Sequence, residues 1–359
     1  MVPSRGDVYC SLVIGHFLPP FQLSRSSVSG HIPPVSSTLP TVTIVVPTRP
    51  GQAEIAAVAA SRALDYPRER LEIIVARGRQ PAVQRNAALK LARGELIYFL
   101  DDDSRPLPGN LRRAVSHFSR PEVKMVGGPN LCPADAPELE QVFAVALSSW
   151  LATLTSRARY DSVGKLRASS EKELILCNLL ARREALQELG GFNESLYPNE
   201  ENALMDELQK RGAELLYDPE FVVYRRPRPT LKAFCKMLLN YGRGRAEQFR
   251  LHPTFGSALN FVPPLFCLYL VLLPFVWRAS SLFGRVVALA PLFVYVWAVA
   301  LQTLFSATKR GLVKSFAALP LLVLTHVLYG LGFWRGLFTK LHKSPEDSPG
   351  AVELERISL

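Results

Sequence analysis

The sequence is poor in the residues that build soft-metal sites and disulfide frameworks. Its 359 residues include five cysteines and six histidines, and no two cysteines form a CxxC pair. Scattered cysteines, odd in number, argue against a structural zinc site and a disulfide scaffold, and they fit a reducing compartment. No helix-turn-helix, zinc-finger or aromatic RNA-binding signature is present, so the net charge of +11 does not predict nucleic-acid binding. The positive charge instead suits a phosphorylated ligand or an anionic lipid surface.

Charge is absent from three long stretches in the C-terminal third. The stretches are residues 257–277, 286–307 and 315–334. Each has about the length of a helix that crosses a bilayer, and buried helices of a soluble domain are the alternative. The first stretch carries Pro263, Pro264 and Pro274, so a kinked or re-entrant segment is also open there. We therefore predict about three transmembrane helices over 257–336, in a multi-pass protein of the cell membrane.

Basic residues beside these stretches predict the orientation in the membrane. They are Arg243, Arg245 and Arg250 before the first stretch, Lys309, Arg310 and Lys314 between the second and third, and Arg335, Lys340 and Lys343 after the third. If each stretch crosses once, the first two groups share a side, which favours a cytoplasmic N-terminal domain. The last group then falls on the opposite side, against the positive-inside rule.

Strand and helix patterns alternate in the middle of the chain. Residues 1–40, rich in Ser and Pro, predict a poorly ordered lead-in. The apolar runs TVTIVVP, LEIIVA and LIYFL then alternate with the helical patterns AEIAAVAASRAL and AVQRNAALKLA, with Gly94 as the stop of the second helix. This order predicts an α/β domain with a mostly parallel sheet over 41–250. A polar tail over 337–359 follows the membrane region.

Three consecutive acids, Asp101, Asp102 and Asp103, directly follow the third apolar run. In open α/β sheets ligands bind beyond the carboxyl ends of the strands, and adjacent like charges there need water or a cation. In an extended segment Asp101 and Asp103 point to one side, so both are candidate ligands of Mg²⁺ or Mn²⁺ together with substrate phosphates. A solvated loop and helix-capping aspartates are the alternatives.

Two further polar segments are candidates for function. Glu200 and Glu201 precede a helical pattern, where acids commonly offset the helix dipole, although in a cleft one of them could be a general base. The basic segment YGRGRAEQFR, residues 241–250, is either an anion clamp for diphosphate or lipid phosphate, or an ordinary juxtamembrane anchor.

Four segments in order resemble the family 2 glycosyltransferases with a GT-A fold. They are TVTIVVPTRP, QRNAALKLARGELIYFLDDDSRP, CNLLARREALQELGGFNESL and PNEENALMDELQKRG. The basic segment and the apolar tail resemble the bacterial exopolysaccharide, succinoglycan-type branch that is anchored in membranes. The resemblance implies a Rossmann-like GT-A catalytic domain followed by the membrane helices. It also implies inverting sugar transfer from a nucleotide sugar, with a UDP-sugar favoured, to a lipid-linked or surface-glycan acceptor at the cytoplasmic membrane face.

The resemblance further implies roles for individual residues. Asp101 and Asp103 take the metal positions, with Asp103 as the direct ligand of Mg²⁺ or Mn²⁺ and Asp101 near the ribose or uridine. Glu201 takes the position of the catalytic base, and Glu200 is its neighbour in the pair. The implied donor-binding residues are Pro47, Thr48, Arg49, Arg85, Asn86, Asp101 and Asp102.

The sequence departs from the family pattern at two places. Ala76, Arg77 and Gly78 replace an acidic turn that meets the nucleobase, so Arg77 or Arg79 becomes a candidate phosphate contact, and Glu201 stands for the usual Asp. A non-catalytic membrane assembly or scaffold protein with the same fold is therefore the alternative. A nucleotidyltransferase is a third hypothesis, but PTRPGQAE is a poor version of its Gly-rich turn. No Q..RW motif follows the acid pair, which favours non-processive transfer.

Overall fold

The computed structural model describes residues 39–194, 196, 199–251, 253, 255–339 and 351–358, so the lead-in predicted over 1–40 lies almost entirely outside the described residues. The strands of the described part are β1 (Val42–Thr48), β2 (Leu71–Arg77), β3 (Leu96–Leu100), β4 (Arg105–Pro106), β5 (Val123–Gly127), β6 (Asn130–Leu131), β7 (Arg167–Ala168), β8 (Asn178–Arg182), β9 (Glu214–Tyr217), β10 (Val223–Tyr224) and β11 (Glu353–Ser358). The α-helices are α1 (Ala56–Ser61), α2 (Pro81–Leu91), α3 (Asn110–Ser116), α4 (Glu138–Leu147), α5 (Trp150–Thr153), α6 (Arg183–Glu188), α7 (Glu200–Lys210), α8 (Leu231–Leu251), α9 (Val262–Ala279), α10 (Leu282–Arg310) and α11 (Leu312–Phe338).

A mixed sheet with the strand order β11-β2-β1-β3-β8-β5-β9-β7 forms the centre of the N-terminal domain. β1 pairs in parallel with β2 and β3, and β5 pairs in parallel with β9. β8 runs antiparallel between β3 and β5, so β5 and β9 point the same way as β1. The predicted mostly parallel sheet is confirmed for these five strands, while β7, β8 and β11 run the other way.

Alternate residues of the central strands belong to two separate apolar cores. Val45 and Ile74 lie in one core, and Ile44 and Ile73 lie in the other. All residues of β1 and β3 are buried. Because side chains alternate between the faces of a sheet, this burial shows that both faces are covered. Covered faces explain the continuous apolar runs in the sequence.

The three predicted strands coincide with β1, β2 and β3 to within a residue. The first predicted helix is shorter than its pattern and covers only Ala56–Ser61. Gly94 was predicted as the stop of the second helix, which is wrong, because α2 already ends at Leu91. A Cβ at Gly94 would collide with the backbone of β1 at Thr43. The position therefore needs glycine for a close approach between chain segments rather than for a helix cap.

The three apolar stretches form long helices, as predicted. The segments Ala258–Ala279, Leu282–Arg310 and Leu312–Phe338 are long and apolar enough to cross a membrane. Pro263 lies in the first turn of α9, and the helix continues through Pro274. α8 leads into this region and packs against α11. A Cβ at Gly242 of α8 or at Gly332 of α11 would collide with the main chain of the other helix, which is the close approach that small residues permit.

After α11 the chain returns to the sheet domain. β11 pairs antiparallel with β2, from Glu353 opposite Arg77 to Ser358 opposite Glu72. The sequence predicted only a polar tail over 337–359, and the strand at 353–358 is an addition to that prediction. The free edge of β2 offers unpaired backbone groups, which a polar segment of suitable length can satisfy by pairing.

Candidate functional site

A cavity of about 1090 Å³ opens at the carboxyl ends of β1 and β3. On the sheet-domain side it is lined by Pro47, Thr48, Asp101, Asp103, Glu200 and Glu201. On the other side it is lined by Leu238 and Arg245 of α8, Pro263 of α9, and Thr325 and Tyr329 of α11. Its place agrees with the rule for ligands in open α/β sheets. One cavity thus reaches from the strand ends to the apolar helices.

The three acids after β3 bind different partners. Asp101 Oδ2 and Asp103 Oδ1 both contact the guanidinium of Arg225, at 3.1 Å and 2.6 Å. Asp102 accepts a hydrogen bond from Thr48 Oγ1 at 3.1 Å. This arrangement agrees with the expectation that Asp101 and Asp103 share one side of the segment. A cation between the two carboxylates offsets their mutual repulsion.

The surroundings of these acids move their pKa values in opposite directions. Burial acts to raise the pKa of Asp101, but nearby guanidinium groups, Arg225 foremost, outweigh burial and hold that pKa below its usual range. Burial, and next the charge of Asp103, raise the pKa of Asp102. Asp101 is therefore ionised at neutral pH and can serve as a permanent anionic ligand.

Glu200 and Glu201 begin α7, as predicted. Glu200 is 3% exposed, and its Oε1 lies 3.0 Å from Arg85 Nη1. Burial, and next the charge of Glu201, raise the pKa of Glu200 to about 7 in spite of this ion pair. Glu201 is more exposed and also lines the cavity. The two acids therefore differ, since one is buried and paired while the other is open to a ligand.

Arg85 connects the two acidic groups. Its Nη1 binds Glu200, and its Nη2 lies 3.4 Å from Asp101 Oδ1. The preceding residue holds α2 in place, because Gln84 Nε2 donates to Thr48 O at 2.8 Å and to Ala76 O at 2.5 Å. These bonds attach α2 to the ends of β1 and β2. They fix the position from which Arg85 reaches both carboxylates.

The predicted donor-binding residues are only partly brought together. Pro47, Thr48, Arg49, Arg85, Asp101 and Asp102 line the cavity. Asn86 is not among its lining residues in the described part of the chain. Its amide donates to Phe192 O at 2.9 Å and to Glu194 Oε1 at 2.8 Å, so it holds the segment that leads to α7. Its direction differs from that of Arg85 because adjacent helical residues point about 100° apart.

The two arginines predicted as phosphate contacts have different surroundings. Arg79 lines the cavity. Arg77 instead donates to Gln52 O at 2.6 Å and forms an ion pair with Glu355 of β11 at 3.1 Å. Arg79 is therefore the better placed of the two for an anionic ligand.

Arg225 was missed by the sequence analysis. It follows β10, and the pairing of β10 with β4 and β6 carries it to the strand-end acids. The sequence signal was the basic run YRRPRP at 224–229, which lies outside the four segments that carry the family resemblance. Arg228 of the same run also lines the cavity.

The basic segment 241–250 contributes to both the cavity and the helix packing. Arg245 lines the cavity and donates to Gln248 Oε1 at 3.1 Å. Burial, and next the charge of Arg159, lower the pKa of Arg245. Arg250 donates to Gly336 O at 3.1 Å and to Thr339 O at 2.5 Å, at the end of α11. A cation that is buried beside another cation favours an anionic ligand.

The acids suit a hard divalent cation better than a soft one. Among the described residues, no group of three or more His, Cys, Asp or Glu side chains is placed to hold a metal alone. The donors available are carboxylate oxygens of Asp101 and Asp103, which are 26% and 45% exposed. Such a set fits Mg²⁺ or Mn²⁺ when phosphate oxygens and water supply the remaining ligands.

Comparison with known proteins adds a family and a fold. Residues 96–334 match a family model described as Glycosyl transferase family group 2. The chain is 28% identical over 173 residues to the pre-mycofactocin glycosyltransferase of Mycobacterium tuberculosis (strain CDC 1551 / Oshkosh). The matched segment covers 48% of this chain and 36% of that protein. It is also 28% identical over 202 residues to the succinoglycan biosynthesis protein ExoA of Rhizobium meliloti (strain 1021). This match covers 55% of this chain and 56% of that protein. The chain thus matches between about a third and just over half of the length of these relatives.

A solved structure shares the fold. The mannosyltransferase PcManGT from Pyrobaculum calidifontis, in complex with GDP-Man and Mn²⁺, is similar with a TM-score of 0.51. The match covers 80% of this chain and 88% of that one, at 18% sequence identity. The predicted architecture, an α/β sheet domain with long apolar C-terminal helices, is confirmed by this fold and by the helices themselves.

Proposed function

The chain belongs to the glycosyl transferase family group 2, and from this membership we propose that it transfers a sugar from a nucleotide sugar, with a UDP-sugar favoured, to an acceptor hydroxyl at the cytoplasmic face of a membrane. One observation carries the proposal. The acids after β3 and the acids that begin α7 line the same cavity, although about 100 residues separate them in the chain. A donor diphosphate and an acceptor hydroxyl can therefore meet within one enclosure.

We assign the role of general base to Glu201. In an inverting displacement a base removes the proton of the acceptor hydroxyl, whose oxygen then attacks the anomeric carbon while the nucleoside diphosphate leaves. Glu201 is the accessible member of its pair, whereas the carboxylate of Glu200 is buried against Arg85. Glu200 and Arg85 act as positioning residues, which hold the start of α7 next to Asp101.

The donor end of the cavity combines anionic and cationic groups. Asp101 and Asp103 would hold Mg²⁺ or Mn²⁺, and the bound cation would neutralise charge on the leaving diphosphate. Arg225 already lies against both carboxylates, and Arg79 lies on the same cavity wall, so both can contact phosphate oxygens. Thr48 holds Asp102 beside them.

The acceptor end is the part of the cavity that α8, α9 and α11 line. Arg245, Pro263 and Tyr329 form walls there, next to helices that are apolar enough for a membrane. This position supports a lipid-linked or surface-glycan acceptor that approaches from the membrane. The chain offers no Q..RW segment to hold a growing polymer, which supports transfer of one sugar per encounter.

The test compares Glu201→Gln with Glu207→Gln. Glu207 is an exposed acid of the same helix, where it pairs with Arg211 at 3.1 Å. Metal-dependent thermal stabilisation by a panel of nucleotide sugars first identifies the donor. We then expect Glu201→Gln to keep the donor Kd and lose about 10²- to 10⁴-fold in turnover, because only proton removal is affected. Glu207→Gln should match the unmodified chain.

A second variant separates donor binding from proton transfer. Asp103→Ala should weaken metal-dependent donor binding itself. Transfer by Glu201→Gln at the unmodified rate would contradict the base assignment. If the unmodified chain binds a donor yet transfers it to neither water nor a lipid-linked acceptor, the non-catalytic assembly role is favoured instead.

A further inference from the structure

The three apolar helices differ in how much of each is covered by protein. In α9 and α10, 11% and 6% of the most apolar window is buried, whereas the fraction in α11 is 39%. The buried positions of α11 include Leu321, Leu322 and Phe333. Leu321 and Leu322 of α11 share an apolar cluster with Phe143 of α4 and Phe234 of α8, so part of this burial is against the sheet domain and α8. α11 is therefore the exception among the three.

Both ends of α11 contact the sheet domain and α8. Near its start, Lys314 Nζ donates to Gln141 Oε1 of α4, and Arg310 just before it pairs with Asp161 at 2.6 Å. At its end, Arg250 of α8 donates to Gly336 O and Thr339 O. A helix of 27 residues is about 40 Å long, so if it crossed a bilayer its ends would lie on opposite sides.

The partners at these two ends cannot share the hydrocarbon region. α4 belongs to the sheet domain, and α8 carries six charged side chains: Lys232, Lys236, Arg243, Arg245, Glu247 and Arg250. Charged groups within a bilayer are costly. The strand after α11 independently indicates that the end of α11 lies on the side of the sheet domain. β11 pairs with β2, which places residues 353–358 on that side.

The exposed apolar residues of α11 occupy one face. Leu312, Val313, Phe316, Leu331 and Phe338 are 48–83% exposed. At 100° per residue these five positions fall within an arc of about 100°. The buried Leu321, Leu322 and Phe333 lie on the other side of the helix. Between these exposed ends the same side of α11 packs on α9, because Cys267 Sγ donates to Val327 O at 3.5 Å and Trp334 Nε1 donates to Pro264 O at 2.9 Å. A covered side and exposed apolar ends are compatible with a helix that lies between a domain and a lipid surface.

α9 and α10 form an antiparallel hairpin whose tip projects from the rest of the protein. The second half of α10 packs along α11, where Tyr295 Oη and His326 Nδ1 are hydrogen-bonded at 2.8 Å. Tyr269 of α9 donates to Ala288 O of α10 at 2.7 Å. Beyond this contact the hairpin exposes Phe275 and Phe283, at 69% and 79%. At its tip Arg285 lies over the ring of Trp277, 5.5 Å from the ring centre. Tryptophan and arginine are residues that commonly lie at membrane interfaces.

We propose that α9 and α10 alone cross the bilayer, as a hairpin, and that α11 stays on the side of the sheet domain with the exposed apolar residues of its two ends against the lipid. This topology also removes the charge conflict in the sequence. Seven basic residues of the described part then share the domain side: Arg243, Arg245, Arg250, Lys309, Arg310, Lys314 and Arg335. Only Arg278 and Arg285 lie across the membrane, at the hairpin tip. The positive-inside rule then places the sheet domain in the cytoplasm.

The test maps three introduced cysteines in the full chain within sealed membrane vesicles. Ala279→Cys reports the hairpin tip, Ala351→Cys the segment before β11, and Gly109→Cys the sheet domain, where an added side chain meets nothing within 4 Å. A membrane-impermeant maleimide is added to vesicles of each orientation, and labelling at each site is read by peptide mass spectrometry. Vesicles opened with detergent should label all three sites alike.

We expect Ala351→Cys and Gly109→Cys to label from the same side, and Ala279→Cys to label only from the other. If Ala351→Cys labels together with Ala279→Cys, α11 crosses and the proposal is wrong. If all three sites label from one side, the hairpin does not cross and the proposal is equally wrong. The readout does not depend on catalysis, so it stands apart from the test of sugar transfer.

Discussion

Replacing Glu200 with glutamine removes an ionisable group from a buried position while keeping the shape of its side chain. Burial and the neighbouring charge of Glu201 raise the pKa of Glu200 from 4.5 to about 7. A carboxyl whose pKa is raised by folding binds its proton more tightly in the folded chain than in the unfolded one. Its contribution to stability is complete below the unfolded pKa and is lost as the pH rises through the folded pKa. At 1.36 kcal/mol per pKa unit, the loss is about 3 kcal/mol of the free energy of unfolding between pH 4.5 and pH 8.

The assay is thermal unfolding of the detergent-solubilised chain across that pH range. A difference of 1 kcal/mol corresponds to roughly 2–4 °C in a domain of 150–250 residues. We therefore expect the Tm of the unmodified chain to fall by several degrees relative to Glu200→Gln from pH 5 to pH 8. Comparing the two proteins at each pH cancels the titration of the other groups. Glu207→Gln is the control and should follow the unmodified chain, because Glu207 is about half exposed. Parallel curves for the unmodified chain and Glu200→Gln would refute the reasoning, as would a gap that widens toward acid pH.

Three other variants probe packing, charge and the acceptor end. Gly332→Val should lower the Tm sharply, because its side chain would meet the backbone of α8, whereas Gly109→Ala should leave the Tm unchanged; equal values would contradict the close helix approach. Asp218 is fully buried and is bound by Arg113 and His117, and its pKa is lowered from 3.8 to about 2, so Asp218→Asn should cost about 2 kcal/mol of unfolding free energy at pH 7. The gap between Asp218→Asn and the unmodified chain should close as the pH falls from 4 to 2, and a constant gap would contradict the charge argument. Arg245→Gln should raise the KM for a phosphate-bearing acceptor at least several-fold while the donor Kd stays constant, and an unchanged KM would remove this residue from the acceptor site.

The local sequence pattern was sufficient to predict those strands and helices whose characteristic residues are neighbours in the chain. β1, β2 and β3 were predictable because both faces of the sheet are covered, which leaves continuous apolar runs. The long C-terminal helices were predictable because a charge-free run of about 20 residues is rare in soluble cores. Gly94 was assigned wrongly because a glycine near a helix end resembles a cap, whereas its real constraint is contact with a strand about 50 residues earlier.

The candidate site divides in the same way. Asp101, Asp103, Glu200 and Glu201 could be singled out because strand and helix ends are recognisable in sequence and acids there have a physical meaning. Arg225 could not be singled out, because it reaches Asp103 across 122 residues through the pairing of very short strands. Asn86 was singled out from the sequence as a donor-binding residue, but it does not line the cavity. Its neighbour Arg85 faces the cavity, while the amide of Asn86 binds the segment before α7.

Local sequence patterns are enough to predict the α/β order of the first domain, the acids after β3 and at the start of α7, and the three long apolar helices. Each of these depends on side-chain chemistry within a few residues, which is where periodicity and composition carry information. Three features depend on contacts in the folded protein: Arg85 joins the two acidic groups, Arg225 lies against the strand-end acids, and the ends of α11 bind α4 and α8. These are contacts between segments distant in the chain, and their free energy depends on the mutual burial of surfaces that no local pattern specifies.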